Sequence, residues 1–190
     1  VMMYARMPGL ANEERLARAP ALDLSAATVS PIEAARAVGL AADRTDTSGD
    51  LTSPNAKTTV QKFVTDIFFE QVRVGMHGDR PVYRFGAGRF ETVVFADSSA
   101  ILSPIGRVEA EATARRYAPG YTGTFDYDGY VTEPDQWTLE AQGQMPMHRF
   151  ALNDAENTHL YVSSLNGDVV LRTTRSERFW GYLGPVLHWV

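Results

Sequence analysis

Over residues 80–103, RPVYRFGAGRFETVVFADSSAILS, the apolar positions gather into short aromatic and β-branched runs separated by turn residues. Val82, Tyr83 and Phe85 predict one strand, residues 90–95 a second, and Ala96-Asp97-Ser98-Ser99-Ala100 a turn into a third. A similar layout returns over residues 145–173, MPMHRFALNDAENTHLYVSSLNGDVVLRT. Both copies open with x-Pro-x-x-Arg-Phe, carried by Pro81, Arg84 and Phe85 in the first and by Pro146, Arg149 and Phe150 in the second. An aromatic or β-branched run and a small turn follow each time. The pattern predicts an α+β chain of two small tandem units, each with a helix packed against a small antiparallel sheet.

Helical composition is confined to three stretches. Residues 10–19 form the first, closed by Pro20. The second opens with Ser30-Pro31-Ile32-Glu33, in which Ser30 caps, Pro31 suits the first helical position and Glu33 completes a capping box; Gly39 is expected to end it. Residues 107–118 are the strongest helix, rich in Ala, Glu and Arg and terminated by Pro119-Gly120. Residues 43–57 are polar and turn-rich, residues 59–75 favour an extended segment, and Met76-His77-Gly78-Asp79 reads as a compact turn. In the second unit an Asp128-Gly129 turn is expected within the extended residues 121–131, and residues 136–140 read as a short strand. Residues 147–152, 159–163 and 168–172 supply three more strands, with Asn166-Gly167 the clearest hairpin signal.

A chain of 190 residues accommodates two such units, each of roughly 70–90 residues. Its formal charge is -5 and its only lysines are Lys57 and Lys62, which excludes a broad nucleic-acid footprint. The absence of cysteine removes disulfides, thiol catalysis and Cys-based metal sites without naming a compartment. Residues 1–9 lack a basic leader and a long apolar segment, so no signal peptide is expected. No run of 18 apolar residues occurs, yet residues 179–190, FWGYLGPVLHWV, turn steadily apolar and aromatic. That composition suits an approach to a bilayer interface, or a terminal strand or helix docked on the core.

Candidate chemistry is sparse. His148 and His159 fall on adjacent predicted strands, where with Asp154 or Glu156 they can be imagined as a metal site, although no dense ligand spacing accompanies them. Asp126, Asp128, Glu133 and Asp135 cluster in a turn-rich segment without the spacing of an EF-hand and read as a solvated loop. Ser98-Ser99 and Ser163-Ser164 lack a nucleophile elbow, and Gly86-Ala87-Gly88 lacks the rest of a phosphate or dinucleotide loop. Strand alternation explains the repeated Arg-Phe: Phe85 or Phe150 enters the sheet–helix core while Arg84 or Arg149 faces the other side. The competing reading is an exposed face on which Arg84 and Arg149, with Tyr83 and Tyr161, recognise an anionic partner. No catalytic residue and no metal site are assigned.

The helix opening SPIEAARAV, the strand–turn–strand RPVYRF…VVFADSSAILS and the final LYVSSLNGDVVLRTTRSERFWGYLGPVLHWV resemble the PepSY domain. More narrowly, they resemble the extracytoplasmic region of bacterial PepSY-associated transmembrane proteins. The likeness divides the chain into an extension at 1–29, a first module at 30–106, a second at 107–175, and an aromatic segment at 176–190 approaching a membrane helix that begins near His188-Trp189. Residues 175–178 correspond to the family's charged turn, and Asp97-Ser98-Ser99-Ala100 lacks the glycine expected in the turn of the first module. The resemblance implies a noncatalytic binding, sensing or positioning module on the periplasmic side of the inner membrane, anchored through flanking helices. It also implies two alternatives. One is the periplasmic part of a haem-bearing ferric-siderophore reductase, with His188 as a possible haem ligand in the full-length protein. The other is a domain that inhibits a peptidase. The fragment itself implies no cofactor, and its partners would be an envelope protein, a peptidase or a ferric siderophore.

Overall fold

The computed structural model describes residues 9–45, 72–86 and 91–188, with the side chains of Asn12 and of residues 40–45 and 183–188 left aside. The chain is α+β, with helices and two small antiparallel sheets, one of three strands and one of four. It divides into two compact units, Pro20–Ser103 and a second made of Val1–Ala19 with Pro104–Val190.

In the unit Pro20–Ser103, a helix α2 (Pro31–Thr45) precedes strands β1 (Val72–His77), β2 (Arg80–Phe85) and β3 (Thr92–Phe95). The capping box forms as its residues predict: the Glu33 carboxylate accepts from the Ser30 N–H at 2.9 Å and from its hydroxyl at 2.8 Å. Gly39 does not end the helix. A mid-helix glycine costs about 1 kcal/mol relative to alanine, and the helix-favouring Leu40-Ala41-Ala42 that follows carries the helix to Thr45. Alternation along β2 sends Tyr83 and Phe85 towards α2, where they join Ala34, Val38, Val94 and Ala96 in one core. Val82, Val93 and Phe95 cluster on the opposite face. Met76 and His77 belong to β1, paired with Pro81 and Arg80, so the connecting turn is only Gly78-Asp79.

The second unit holds α3 (Arg107–Tyr117), β4 (Phe125–Val131), a 3-10 helix (Leu139–Gln144), β5 (Met147–Leu152), β6 (His159–Ser163), β7 (Val169–Thr173) and α4 (Arg175–His188). The strands run in the order β4-β5-β6-β7, and α3 packs on β5, β6 and β7 through Ala110, Ala114 and Tyr117. Three expectations change here. Asp128-Gly129 is no turn; β4 runs through it with a bulge, and Gly129 takes the φ of 122° that the irregularity needs. Residues 136–140 form no strand, because the Asp135 carboxylate accepts from the N–H groups of Trp137 and Thr138, both at 2.9 Å, and folds the backbone into a turn that feeds the 3-10 helix. Residues 175–178 open α4 rather than a charged turn, with Thr174 and Glu177 forming a second capping box.

The N-terminal helix α1 (Asn12–Ala17) groups with this second unit. Its attachment is polar. Glu14 accepts from the Tyr117 hydroxyl at 2.9 Å and pairs with Arg172 at 3.1 Å, while Leu16 stays exposed.

The two units repeat a set of main-chain connections at matching positions. Where the Ala96 N–H donates to Pro81 O at 2.9 Å, the Ser164 N–H donates to Pro146 O at 2.9 Å. Val29 N–H donates to Ala96 O in one unit, and Ile105 N–H to Ser164 O in the other, both at 2.8 Å and both two residues before the helix. The Tyr83 hydroxyl donates to Val29 O at 2.9 Å, and His148 Nε2 meets the corresponding Ile105 O at 3.0 Å. The turns coincide as well: Ser99 N–H reaches Phe95 O, and Gly167 N–H reaches Ser163 O, each at 3.0 Å. Ser99 adopts a φ of 57° where Gly167 has 72°, so the first turn keeps the left-handed geometry without its glycine. Even the last strand has a counterpart, since the Val162–Val169 pair in β6–β7 matches the lone Val94–Ile101 bridge.

Candidate functional site

Alternation and register decide which side chains can meet. In the second unit, His148 and Phe150 face α3, while Arg149 points to the other side of the sheet with its β6 neighbour Tyr161. The same rule puts Tyr83 and Phe85 against α2 and Arg84 opposite. The repeated Arg-Phe is therefore explained by sheet geometry in both units.

Of the residues singled out for recognition, three are buried. Tyr83 is committed to Val29 O on the helix side. Arg84 is enclosed, its guanidinium 3.7 Å from the equally enclosed Glu91 carboxylate, so the exposed Arg84 surface that the pattern allowed does not exist. Tyr161 is 1 % exposed, within hydrogen-bonding reach of Thr173 and Arg149, and burial raises its hydroxyl above the usual phenol range, Arg149 pulling the other way. Arg149 is partly exposed and tied to Asp128, with Nε 2.7 Å from Oδ2 and Nη2 donating to the main-chain oxygen at 3.0 Å. His188 is the last residue of α4, and its side chain lies outside the described ones.

The other candidate groups separate. His148 and His159 sit on opposite faces of adjacent strands and share no ligand site. Both nitrogens of His148 are engaged, Nε2 with Ile105 O and Nδ1 with the Tyr127 hydroxyl at 3.2 Å. Because a carbonyl can only accept, Nε2 carries the proton. The acidic segment is dispersed: Asn153 donates to Asp126, Arg149 holds Asp128, and Asp135 folds its own turn. Among the described residues no group of His, Asp and Glu is arranged to hold a metal ion. Ser98 accepts from Arg80, Ser163 from the Leu165 N–H, and Ser164 bonds the Tyr130 hydroxyl. Gly86 follows β2, and residues 87–90 lie outside the described ones.

The sheet face opposite α3 does gather charged and polar groups around Tyr161. Arg178 reaches back from the first turns of α4, with Nη1 donating to Thr173 O at 3.1 Å and to its hydroxyl at 2.8 Å, and Nη2 donating to Asn157 O at 2.7 Å. Trp137 bonds the Arg178 carbonyl through Nε1 at 3.0 Å, which pins the 3-10 segment to the same helix. His159 stands beside Thr173 in the ladder; its Nδ1 is buried without a hydrogen-bond partner. Burial lowers the His159 pKa, the Arg178 cation adds to this, and Asp128 opposes it. Burial likewise lowers that of Arg178. Arg178 escapes a sequence reading because it looks like part of a loop, while His159 is read there only as a metal partner of His148. The usable signal was Thr174-Arg175-Ser176-Glu177, a capping box that starts a helix and turns Arg178 back on β7.

Among the described residues, these contacts tie α4 to β7 and to the main chain at Asn157. No protein-family model, curated protein or solved structure matches the chain. The PepSY likeness rests on the residues quoted for it.

Proposed function

We propose that the chain is a tandem of PepSY-like modules, the noncatalytic extracytoplasmic part of a bacterial inner-membrane protein that binds, senses or positions another envelope component. The observation that carries this reading is the shared scaffold. Two helix-plus-sheet units repeat the same internal bonds, and the buried polar groups Tyr83 and His148 are spent on that scaffold rather than on chemistry. The partly exposed polar groups left for recognition in the second unit include Arg149 and Arg178.

The membrane assignment draws on α4. Phe179, Trp180 and Tyr182 are each more than half exposed there, and aromatic rings of this kind favour the headgroup region of a bilayer. Among the described residues no helix is long and apolar enough to cross a membrane. Anchoring would fall to flanking segments.

These 190 residues contain no cysteine, so labelling gained by a variant over its parent reports the introduced thiol. A single cysteine at the exposed Glu133, in the full reading frame, is treated on intact cells with a membrane-impermeant maleimide. Labelling without lysis is expected; labelling only after lysis refutes the extracytoplasmic placement. Two alternative readings remain open to test. Service in a haem-bearing ferric-siderophore reductase, with His188 near the cofactor, predicts a haem band from full-length protein made with ample haem, and its absence removes that reading. Peptidase inhibition by a sheet edge predicts lower activity of an envelope peptidase incubated with the chain.

A further inference from the structure

We propose that Tyr117 and Arg172 form a glutamate-binding site on the second unit, filled in this chain by Glu14 of α1, and that α1 of a second copy fills the same site when the resident helix is released.

Strand register and helix end bring the two side chains together. Arg172 lies opposite Leu160 in the β6–β7 ladder, on the face of the sheet that α3 covers, and Tyr117 is the last residue of α3. They converge on one oxygen. Glu14 Oε1 accepts from the Tyr117 hydroxyl at 2.9 Å and lies 3.1 Å from Arg172 Nε, while Oε2 has no partner among the described residues. Arg18, four residues on, completes the grip. Its Nη2 lies 3.4 Å from the same Oε1, its Nη1 donates to Tyr117 O at 3.3 Å, and its guanidinium carbon stands 4.7 Å from the centre of the Tyr117 ring. Burial raises the Tyr117 hydroxyl above the usual phenol range and the bond to Glu14 adds to this, so the phenol remains a donor to the carboxylate. The ligand is therefore a glutamate presented on a helix with an arginine four residues later, which α1 supplies.

The attachment is of a kind that releases and rebinds. Of the described side chains of α1, every one but Glu14 is exposed, Leu16 at 76 %, so no apolar burial holds the helix down. An ion pair that is partly open to water is screened by salt and gives way at low cost. The connector that follows is also loosely tied. Its bonds over residues 19–27 are local, from the Ala19 N–H to Leu16 O, from the Ser25 N–H to Asp23 and from the Ala27 N–H to Leu24 O; the chain is next anchored at Thr28 and Val29, whose N–H groups donate to Ala96 O. Residues 20–103 then build the other unit before the chain reaches Tyr117 and Arg172. A helix joined to its seat through a whole intervening unit, and held there by polar contacts, is suited to exchange between copies, because the exchanged pair makes the same bonds as the single chain. Concentration alone decides between the two arrangements.

The test pairs two variants of the 190-residue chain. Glu14→Gln keeps the site and disables the helix; the double variant Tyr117→Phe/Arg172→Gln keeps the helix and disables the site. Nitrogen-15-labelled Glu14→Gln is titrated with the unlabelled double variant to millimolar concentration, following Arg172 Nε and the Tyr117 amide by NMR, and well-dispersed spectra show that each chain folds. Saturable shifts at both positions are expected, fading as sodium chloride is raised. Adding Glu14→Gln to the double variant should weaken binding by about tenfold or more. The labelled parent should bind the double variant more weakly than Glu14→Gln does, because its own α1 competes at an effective concentration on the order of millimolar. Sodium acetate, at ionic strength matched with chloride, separates recognition of the helix from recognition of a bare carboxylate. Acetate binding as tight as that of the double variant would overturn α1 as the ligand. The absence of shifts, or equal shifts when the added chain lacks Glu14, would overturn the site, and equal binding by the parent and Glu14→Gln would overturn its occupation by the resident helix.

Discussion

Replacing Ser99 with glycine should stabilise the unit Pro20–Ser103, and replacing Gly167 with serine should destabilise the other. Ser99 sits at a φ of 57° and Gly167 at 72°, in turns closed by the same pair of hydrogen bonds. A residue with a Cβ pays about 1–2 kcal/mol for left-handed backbone. Glycine removes that strain but loses about 0.5–1 kcal/mol more conformational entropy on folding. The net gain for Ser99→Gly is therefore about 0.5–1 kcal/mol, with no side-chain bond sacrificed, since the Ser99 hydroxyl has no partner among the described residues. For a unit of this size the gain corresponds to a rise in Tm of roughly 2–8 °C. The reverse change at Gly167 should cost about 0.5–1 kcal/mol by the same balance. Differential scanning calorimetry of the two variants and the parent resolves the effects by unit. A lower Tm for Ser99→Gly, or an unaltered Tm for Gly167→Ser, would refute the claim that the two turns are the same structure built with different residues.

Other expectations follow from the polar contacts. Tyr83→Phe should cost its unit about 1–1.5 kcal/mol in urea unfolding, because it strips the donor from Val29 O, and His148→Phe should cost the other unit more by removing two bonds; a neutral Tyr83→Phe would contradict the assignment. Glu14→Ala should destabilise the second unit by about 1–2 kcal/mol, since α1 is held by the Tyr117 and Arg172 contacts; an unchanged unfolding midpoint would mean that α1 is not docked in solution. Asp97, hydrogen-bonded by the Arg80 guanidinium and then by Ser98, has its pKa lowered to about 2. Its contribution is present above the ordinary carboxylate value and is lost as pH falls through about 2, so the Tm gap between the parent and Asp97→Asn should close on going from pH 7 to pH 2; a constant gap would remove the ion pair from the account. His159, lowered mainly by burial, contributes stability above the ordinary histidine pKa and loses it as pH falls through the lower folded value. His159→Gln should therefore flatten the fall in Tm between pH 7 and pH 5, and an identical slope would contradict the buried placement.

What the sequence revealed depended on whether local chemistry acted alone. Ser30-Pro31-Ile32-Glu33 announced its helix because a capping box is complete within four residues. The strands of the Arg-Phe repeats were legible because alternation matches a sheet with different neighbours on its two faces. Gly39 misled because one glycine is a small penalty beside a helix that buries Ala34 and Val38. Asp128-Gly129 misled because an Asp-Gly pair also suits a bulge, and only the partner strand β5 shows which was built. The alternation over residues 136–140 was overridden by one carboxylate, that of Asp135. The polar cluster was half visible: Arg149, Tyr161 and His159 follow from alternation along β5 and β6, while Arg178 joins them only through the return of α4, a relation no local pattern encodes.

The claim on which the rest depends is that one set of long-range hydrogen bonds builds both units. Scalar couplings across hydrogen bonds in isotopically labelled protein measure this directly. Cross-peaks are predicted from the Ala96 N–H to the Pro81 carbonyl carbon and from the Ser164 N–H to that of Pro146, together with Val29 to Ala96 and Ile105 to Ser164. The appearance of all four would establish the shared scaffold; cross-peaks in one unit and none at the matching positions of the other would contradict it.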